Sequence, residues 1–147
     1  PGERYVMLHS QAHALLNTVA LECGYPAASI RERVYAREPD QPCGPMAGIL
    51  LYTSAPDSEG TLGGLVGLGQ PRPFGRILAL ALERLGLCST DPFCADHCPD
   101  DDEDVLHNAA CHACLFVPET SCEQGNRYLD RAALGATLAG AGIEYFR

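Results

Sequence analysis

Residues 88–122 read CSTDPFCADHCPDDDEDVLHNAACHACLFVPETSC. Six of the chain's eight cysteines lie in this stretch, which contains the tight pair Cys111-His-Ala-Cys114. A two-residue gap lets both thiolates of such a pair converge on one tetrahedral ion, and a second pair upstream completes the shell. The segment therefore reads as a structural zinc site with Cys111 and Cys114 as one half. For the other half the choice falls on Cys88 and Cys94, which flank Ser89-Thr-Asp-Pro-Phe93, a compact turn able to fold both sulfurs inward. Cys98 and Cys122 stand as substitutes, and His97, His107 or His112 as a replacement for one thiolate. A histidine near such a site is more often a loop residue than a ligand.

Eight cysteines also invite a disulfide framework, which belongs to oxidising compartments. Neither a signal peptide nor an apolar run of membrane-spanning length is present, and 147 residues with 46% hydrophobic content can bury a core without covalent staples. Zinc is the preferred reading, and with it a cytoplasmic protein with no membrane contact. The chain opens on Pro1 with no initiator methionine, as a trimmed or partial protein would.

A formal charge of −9 argues against holding nucleic acid by bulk attraction, and four zinc-bound thiolates would make it more negative still. All ten basic residues are arginine. The absence of lysine removes Schiff-base chemistry and the phosphate-binding lysine of nucleotide loops, leaving planar, bidentate recognition of carboxylate or phosphate. Arg31, Arg33 and Arg37 cluster, and Arg127 and Arg131 stand four apart on an expected helix. The last two are the candidates for a local phosphate contact, weighed against the commoner use in surface salt bridges.

Working outward, Leu8, Ala12, Leu15, Leu16 and Val19 recur at helical spacing within Tyr5 to Leu21, predicting an amphipathic helix that ends before Gly24 and Pro26. Residues 28–37 form a short element of undetermined type, and the proline-rich residues 38–45 a loop. Met46 to Thr53 is a short apolar run between turn residues and reads as a buried strand. Phe74 to Leu87 carries Ile77, Leu78, Ala81, Leu82 and Leu85 at helical intervals, a second helix that delivers Cys88 to the metal site. Asp100 to Asp104, five consecutive carboxylates, reads as a solvated loop between the two halves of that site. Ser121-Cys-Glu-Gln124 matches a capping box, predicting a last helix to about Leu138 that buries Leu129, Ala133, Leu134 and Leu138. The expected fold is α/β: one small domain over 1–147 of short buried strands with flanking helices and a cysteine-rich zinc segment at 88–122.

Other residues compete for a chemical role. At a helix N-terminus Cys122 would gain thiolate character, yet the preferred reading is a buried thiol, since nothing supplies an oxyanion hole or a group to orient His112 as its base. Cys23 and Cys43 read as ordinary apolar residues. His9 and His13 share a helix face and can reach one ion, but Ser10 stands where the metalloprotease pattern needs glutamate, so paired histidines hydrogen-bonded at the surface are preferred. Asp57 and Glu59, in the glycine-rich loop 54–64, could hold a divalent cation, and a structural turn is the preferred reading. That loop lacks the GK[ST] ending of a nucleotide site.

Tyr5-Val-Met-Leu-His-Ser-Gln-Ala-His-Ala-Leu-Leu16, Leu21-Glu-Cys-Gly-Tyr-Pro-Ala-Ala-Ser-Ile-Arg-Glu-Arg33, Gly48-Ile-Leu-Leu-Tyr-Thr-Ser-Ala-Pro-Asp-Ser-Glu-Gly-Thr-Leu-Gly-Gly64, Asn108-Ala-Ala-Cys-His-Ala-Cys114 and Asn126-Arg-Tyr-Leu-Asp-Arg131 together resemble the MrfA-like zinc-binding domain family. The likeness is greatest to its branch in the DISARM antiphage system. It implies a four-cysteine Zn2+ site, here Cys88, Cys94, Cys111 and Cys114, with the upstream pair spaced more widely than in helicase-fused members. It also implies a DExH-type helicase as partner, in cis or on a separate subunit. No small-molecule substrate and no catalytic residue is expected, and any ATPase would sit on another region or partner. The expectation is an accessory module for helicase docking and DNA engagement in phage defence or repair. The alternative is a metal-dependent hydrolase or nuclease using His9/His13 or Asp57/Glu59.

Overall fold

The apolar spacing that starts at Leu8 produces helix α1, Glu3–Cys23, which buries Leu8, Ala12, Leu15, Leu16 and Val19 as expected. Gly24 ends it in the left-handed conformation at φ 68°, a C-terminal geometry that costs glycine nothing, and Pro26 follows. The computed structural model that shows this describes residues 1–53, 62–99 and 106–138. The acidic run 100–104 and the pair Asp57 and Glu59 lie outside those residues.

The undetermined segment is a strand. β1, Ile30–Arg37, pairs antiparallel with β2, Met46–Thr53, in a register running from Ile30 opposite Thr53 to Arg37 opposite Met46. In the connecting loop a side chain at Gly44 would collide with the Glu38 carbonyl oxygen, so only glycine closes it. α1 covers one face of this two-stranded sheet, and the pleat sends Ile30, Glu32, Val34 and Ala36 toward the helix. Arg31, Arg33, Tyr35 and Arg37 take the exposed phase. β2 is thus half-buried rather than buried: Leu50 and Tyr52 remain 46% and 40% exposed, because no second layer among the described residues covers their side.

Helices α2, Leu62–Leu68, and α3, Pro71–Leu85, complete the α-helices and strands of the described residues. Pro71 occupies the first helical position, where a missing N–H costs nothing. α3 packs on α1 through Ile77, Ala81 and Leu85, with Leu78 and Leu82 partly buried beside them.

The predicted last helix is absent. Residues 122–138 run through turns and the single-turn helix Arg131–Ala133, although Leu129 and Leu134 are buried as expected. Leu138 is 62% exposed. The capping box fails because tertiary partners claim its groups: the Ser121 hydroxyl donates to Ala27 O at 3.0 Å. The Asn126 side chain pairs with both backbone groups of Val117, at 2.9 and 3.0 Å, in the left-handed conformation at φ 62°. A side chain that satisfies a buried backbone from a kinked position outweighs a weak helix propensity.

α1 is therefore the spine onto which sheet, α3 and the irregular C-terminal segment fold. Leu16, fully buried at its centre, should tolerate truncation poorly. Leu16→Ala is expected to lose about 2–5 kcal/mol, read as a lowered midpoint in chemical denaturation; an unchanged midpoint would remove α1 from the core.

Candidate metal centres

Four sulfurs, those of Cys88, Cys94, Cys111 and Cys114, lie within 4.8 Å of one another. The closer pairs are Cys88 with Cys111 at 3.5 Å, and Cys94 with Cys114 and Cys111 with Cys114 at 3.7 Å. A tetrahedron with metal–sulfur bonds of about 2.3 Å has edges of about 3.8 Å, so the four atoms already sit near its corners. A disulfide would need about 2.05 Å, and all four cysteines are free. The residues fit a zinc ion by donor type, number and spacing.

Local backbone geometry produces this convergence. α3 ends at Leu85 and hands the chain to a turn in which Cys88 N–H donates to Asp91 Oδ2 at 2.9 Å and Cys94 N–H to Thr90 O at 3.2 Å. That is the inward-folding turn expected of residues 89–93. Downstream, Cys111 and Cys114 form a knuckle in which Cys111 N–H points to the Cys114 sulfur and Ala113 N–H to the Cys111 sulfur, both at 3.3 Å. The Thr90 hydroxyl lies 3.1 Å from the sulfurs of both Cys88 and Cys111, tying the two halves together. Asn17 of α1 donates to the carbonyls of Cys114 and Phe116 at 3.1 and 3.4 Å, anchoring the knuckle to the spine.

Burial and the neighbouring sulfurs push the Cys94 thiol up to about 11 and Cys114 further upward. At Cys111 burial also acts upward, but the Thr90 hydroxyl and Ala113 N–H outweigh it and bring the thiol down to about 7. Crowded sulfurs that resist ionising together become thiolates when a dication shares them.

Among the described residues the proposed substitutes do not join this group. Cys98 is exposed. The rings of His97 and His107 stack on each other at 4.7 Å, and His112 packs on Phe116 at 5.0 Å. Cys43 is exposed rather than an apolar core residue.

Arg131 differs from its expected place. It is fully buried, donates to Leu85 O at 2.9 Å and forms an ion pair with Asp91 Oδ1. Its guanidinium is spent inside the protein, holding the carboxylate that shapes the Cys88 turn, so it cannot meet a phosphate. Sequence spacing missed this because it assumed a helix with one polar face. Arg127 is exposed.

His9 and His13 also depart from expectation. They lie fully buried, not at the surface, and with Glu32 of β1 and Cys122 they bring one donor atom each within 4.8 Å of the others. Cys122 therefore sits in a second cluster, away from the four-cysteine group and from His112. A substrate has no access to side chains at zero exposure, which removes the hydrolase reading from the histidine pair. Burial acts downward on His9, but hydrogen bonds with Cys122 and Glu32 carry it up to about 9. Glu32 is brought down to about 2 by the two histidines against the opposing effect of burial. Glu32, Thr90 and Asp91 escaped the sequence reading. Only Glu32 left a signal there, as the one charged residue in the row Ile30, Glu32, Val34, Ala36.

No described helix is long and apolar enough to cross a membrane. A family model described as the MrfA Zn-binding domain matches residues 11–115, which include all four converging cysteines. The chain is 44% identical over 144 residues to the DISARM protein DrmB of Bacillus paralicheniformis, covering 97% of this chain. It spans about a quarter of the length of that relative, 24%.

Proposed function

Because this chain belongs to the MrfA Zn-binding domain family, we propose that Cys88, Cys94, Cys111 and Cys114 hold one structural zinc ion in an accessory module of a DISARM-like antiphage system. The observation that carries the reading is the near-tetrahedral spacing of four sulfurs inside the matched region. Bound there, zinc supplies cross-linking free energy, and four protein donors leave no open position for substrate. The cysteines themselves tie the end of α3 to the knuckle that α1 anchors. The module performs no chemistry of its own and serves a DExH-type helicase, in cis or on a partner subunit, by docking on it and helping it engage DNA.

Two surfaces suit these tasks. The sheet face that no layer among the described residues covers presents Tyr35, Leu50 and Tyr52, between 39% and 46% exposed, interleaved with Arg31 and Arg33. Exposed aromatic and apolar groups beside arginine are the composition of protein interface cores. Arg127, exposed on the turn after Cys122, is the arginine this reading assigns to a phosphate contact.

The test uses the full-length protein with its helicase. Tyr52→Asp is expected to lower helicase recovery on copurification. Arg127→Ala is expected to weaken DNA binding with similar effect across sequences and to reduce the slope of log affinity against log salt by about one. Unchanged recovery and an unchanged slope in well-folded variants would leave the docking and DNA roles without support, while the zinc assignment would stand on its own measurement.

A further inference from the structure

We infer that His9, His13, Glu32 and Cys122 form a second, fully buried metal centre that binds a divalent transition ion of the zinc type through Nε2, Nε2, a carboxylate oxygen and Sγ. The evidence lies in how each donor is aimed. His13 Nδ1 faces Leu115 O at 2.8 Å and His9 Nδ1 faces Tyr128 O at 3.4 Å. A carbonyl oxygen only accepts, so each Nδ1 carries the proton and each Nε2 is left to the interior of the cluster. Both Nε2 atoms meet Glu32 Oε1, at 2.8 Å from His9 and 3.2 Å from His13, and His9 Nε2 also meets Cys122 Sγ at 3.2 Å. With neutral rings, an ionised Glu32 and a Cys122 thiolate, these contacts set lone pair against lone pair.

Something positive must lie between them. Two extra protons would do it by making both rings imidazolium, but the rings are 4.6 Å apart by centroid and wholly buried, where like charges repel in a low dielectric. One dication removes that repulsion, because both rings stay neutral and its charge balances one carboxylate and one thiolate. Two further observations favour the ion. Glu32 Oε2 is buried without a hydrogen-bond partner among the described residues, a polar atom that a metal would satisfy. Cys122 Sγ already accepts the backbone N–H groups of Gln124 and Asn126, both at 3.3 Å, the arrangement that stabilises a thiolate ligand.

The observed separations are a few tenths of an ångström inside the roughly 3.3–3.7 Å edges of a tetrahedron with bonds of about 2.0–2.3 Å, a gap that small rotamer shifts open. Mixed nitrogen, oxygen and sulfur donors select zinc-type ions over magnesium or calcium. The carbonyls of Leu115 and Tyr128 hold the rings in the ligating tautomer, as outer partners of metal-bound histidines do. Four donors from α1, β1 and the Cys122 turn leave no open position, so the centre is structural. It lies only partly within the matched region 11–115, since His9 and Cys122 fall outside it.

The test is metal content of the protein in its natural length, by elemental analysis, for wild type, Glu32→Gln and Cys122→Ser. Glu32→Gln and Cys122→Ser are each expected to lose one equivalent relative to wild type and to keep the other. Wild-type metal content in folded Glu32→Gln and Cys122→Ser would overturn the second centre and leave the four-cysteine site untouched. Should those variants fail to fold, cobalt substitution of wild type decides instead. Two spectrally distinct centres, one all-sulfur and one mixed, are expected, whereas an all-sulfur spectrum alone would overturn the proposal.

Discussion

Cys111→Ser is expected to yield a chain without cooperative structure. Structural zinc contributes on the order of 10 kcal/mol in small sites, and a domain's entire stability is about 5–15 kcal/mol, so losing one ligand removes most or all of the margin. Cys111 is the costliest of the four to alter, because its sulfur touches Cys88, Cys114, the Thr90 hydroxyl and the Ala113 N–H at once. Circular dichroism should show lost helix and elemental analysis lost zinc, and a strong chelator should do the same to wild type. Cys43→Ser, at an exposed cysteine, is the control and should unfold as wild type does. A Cys111→Ser protein that keeps its zinc and a cooperative transition would refute the four-cysteine assignment.

The second large effect is expected at Arg131. Arg131→Met keeps the buried stem but strands the Asp91 carboxylate, whose side chain is 3% exposed. Removing one partner of a buried ion pair costs about 3–5 kcal/mol, because the other charge remains unpaired. Asp91 also accepts from Cys88 N–H, so disorder there should loosen the zinc turn and lower metal affinity about 10–100-fold, measurable by chelator competition. Adding Asp91→Asn to Arg131→Met should recover part of the lost stability by deleting the orphaned charge. Arg131→Met as stable as wild type would show that the pair does not support the turn. Since the guanidinium never reaches the surface, the salt dependence of DNA binding should not respond to this change.

The two substitutions probe one mechanical idea. The C-terminal segment of the described residues has little regular structure, so it holds its place through specific anchors instead of a repeating hydrogen-bond ladder. The sulfur cluster, Arg131 under the Cys88 turn, Asn126 on Val117 and the His9 cluster are those anchors. Arg131, the sulfur cluster and the His9 cluster join residues far apart in sequence, and Asn126 reaches back 9 residues to Val117, which together stabilise a loop-rich segment that propensity alone would leave open.

The sequence alone determined the elements whose short-range pattern no tertiary partner overrides. The period of Leu8, Ala12, Leu15, Leu16 and Val19 gave α1, the apolar run gave β2 with its observed bounds, and the two-residue gap with the Cys88–Cys94 turn gave four sulfurs that converge in the structure. Such features are written in i to i+4 relations, where backbone geometry leaves few choices. Only the tertiary structure decided the rest: that Arg131 is an interior strut, that residues 122–138 form no α-helix, and that Glu32 and Cys122 join a histidine pair. Those outcomes turn on which buried polar groups find partners across separations of 9 to 113 residues, and no local period encodes them.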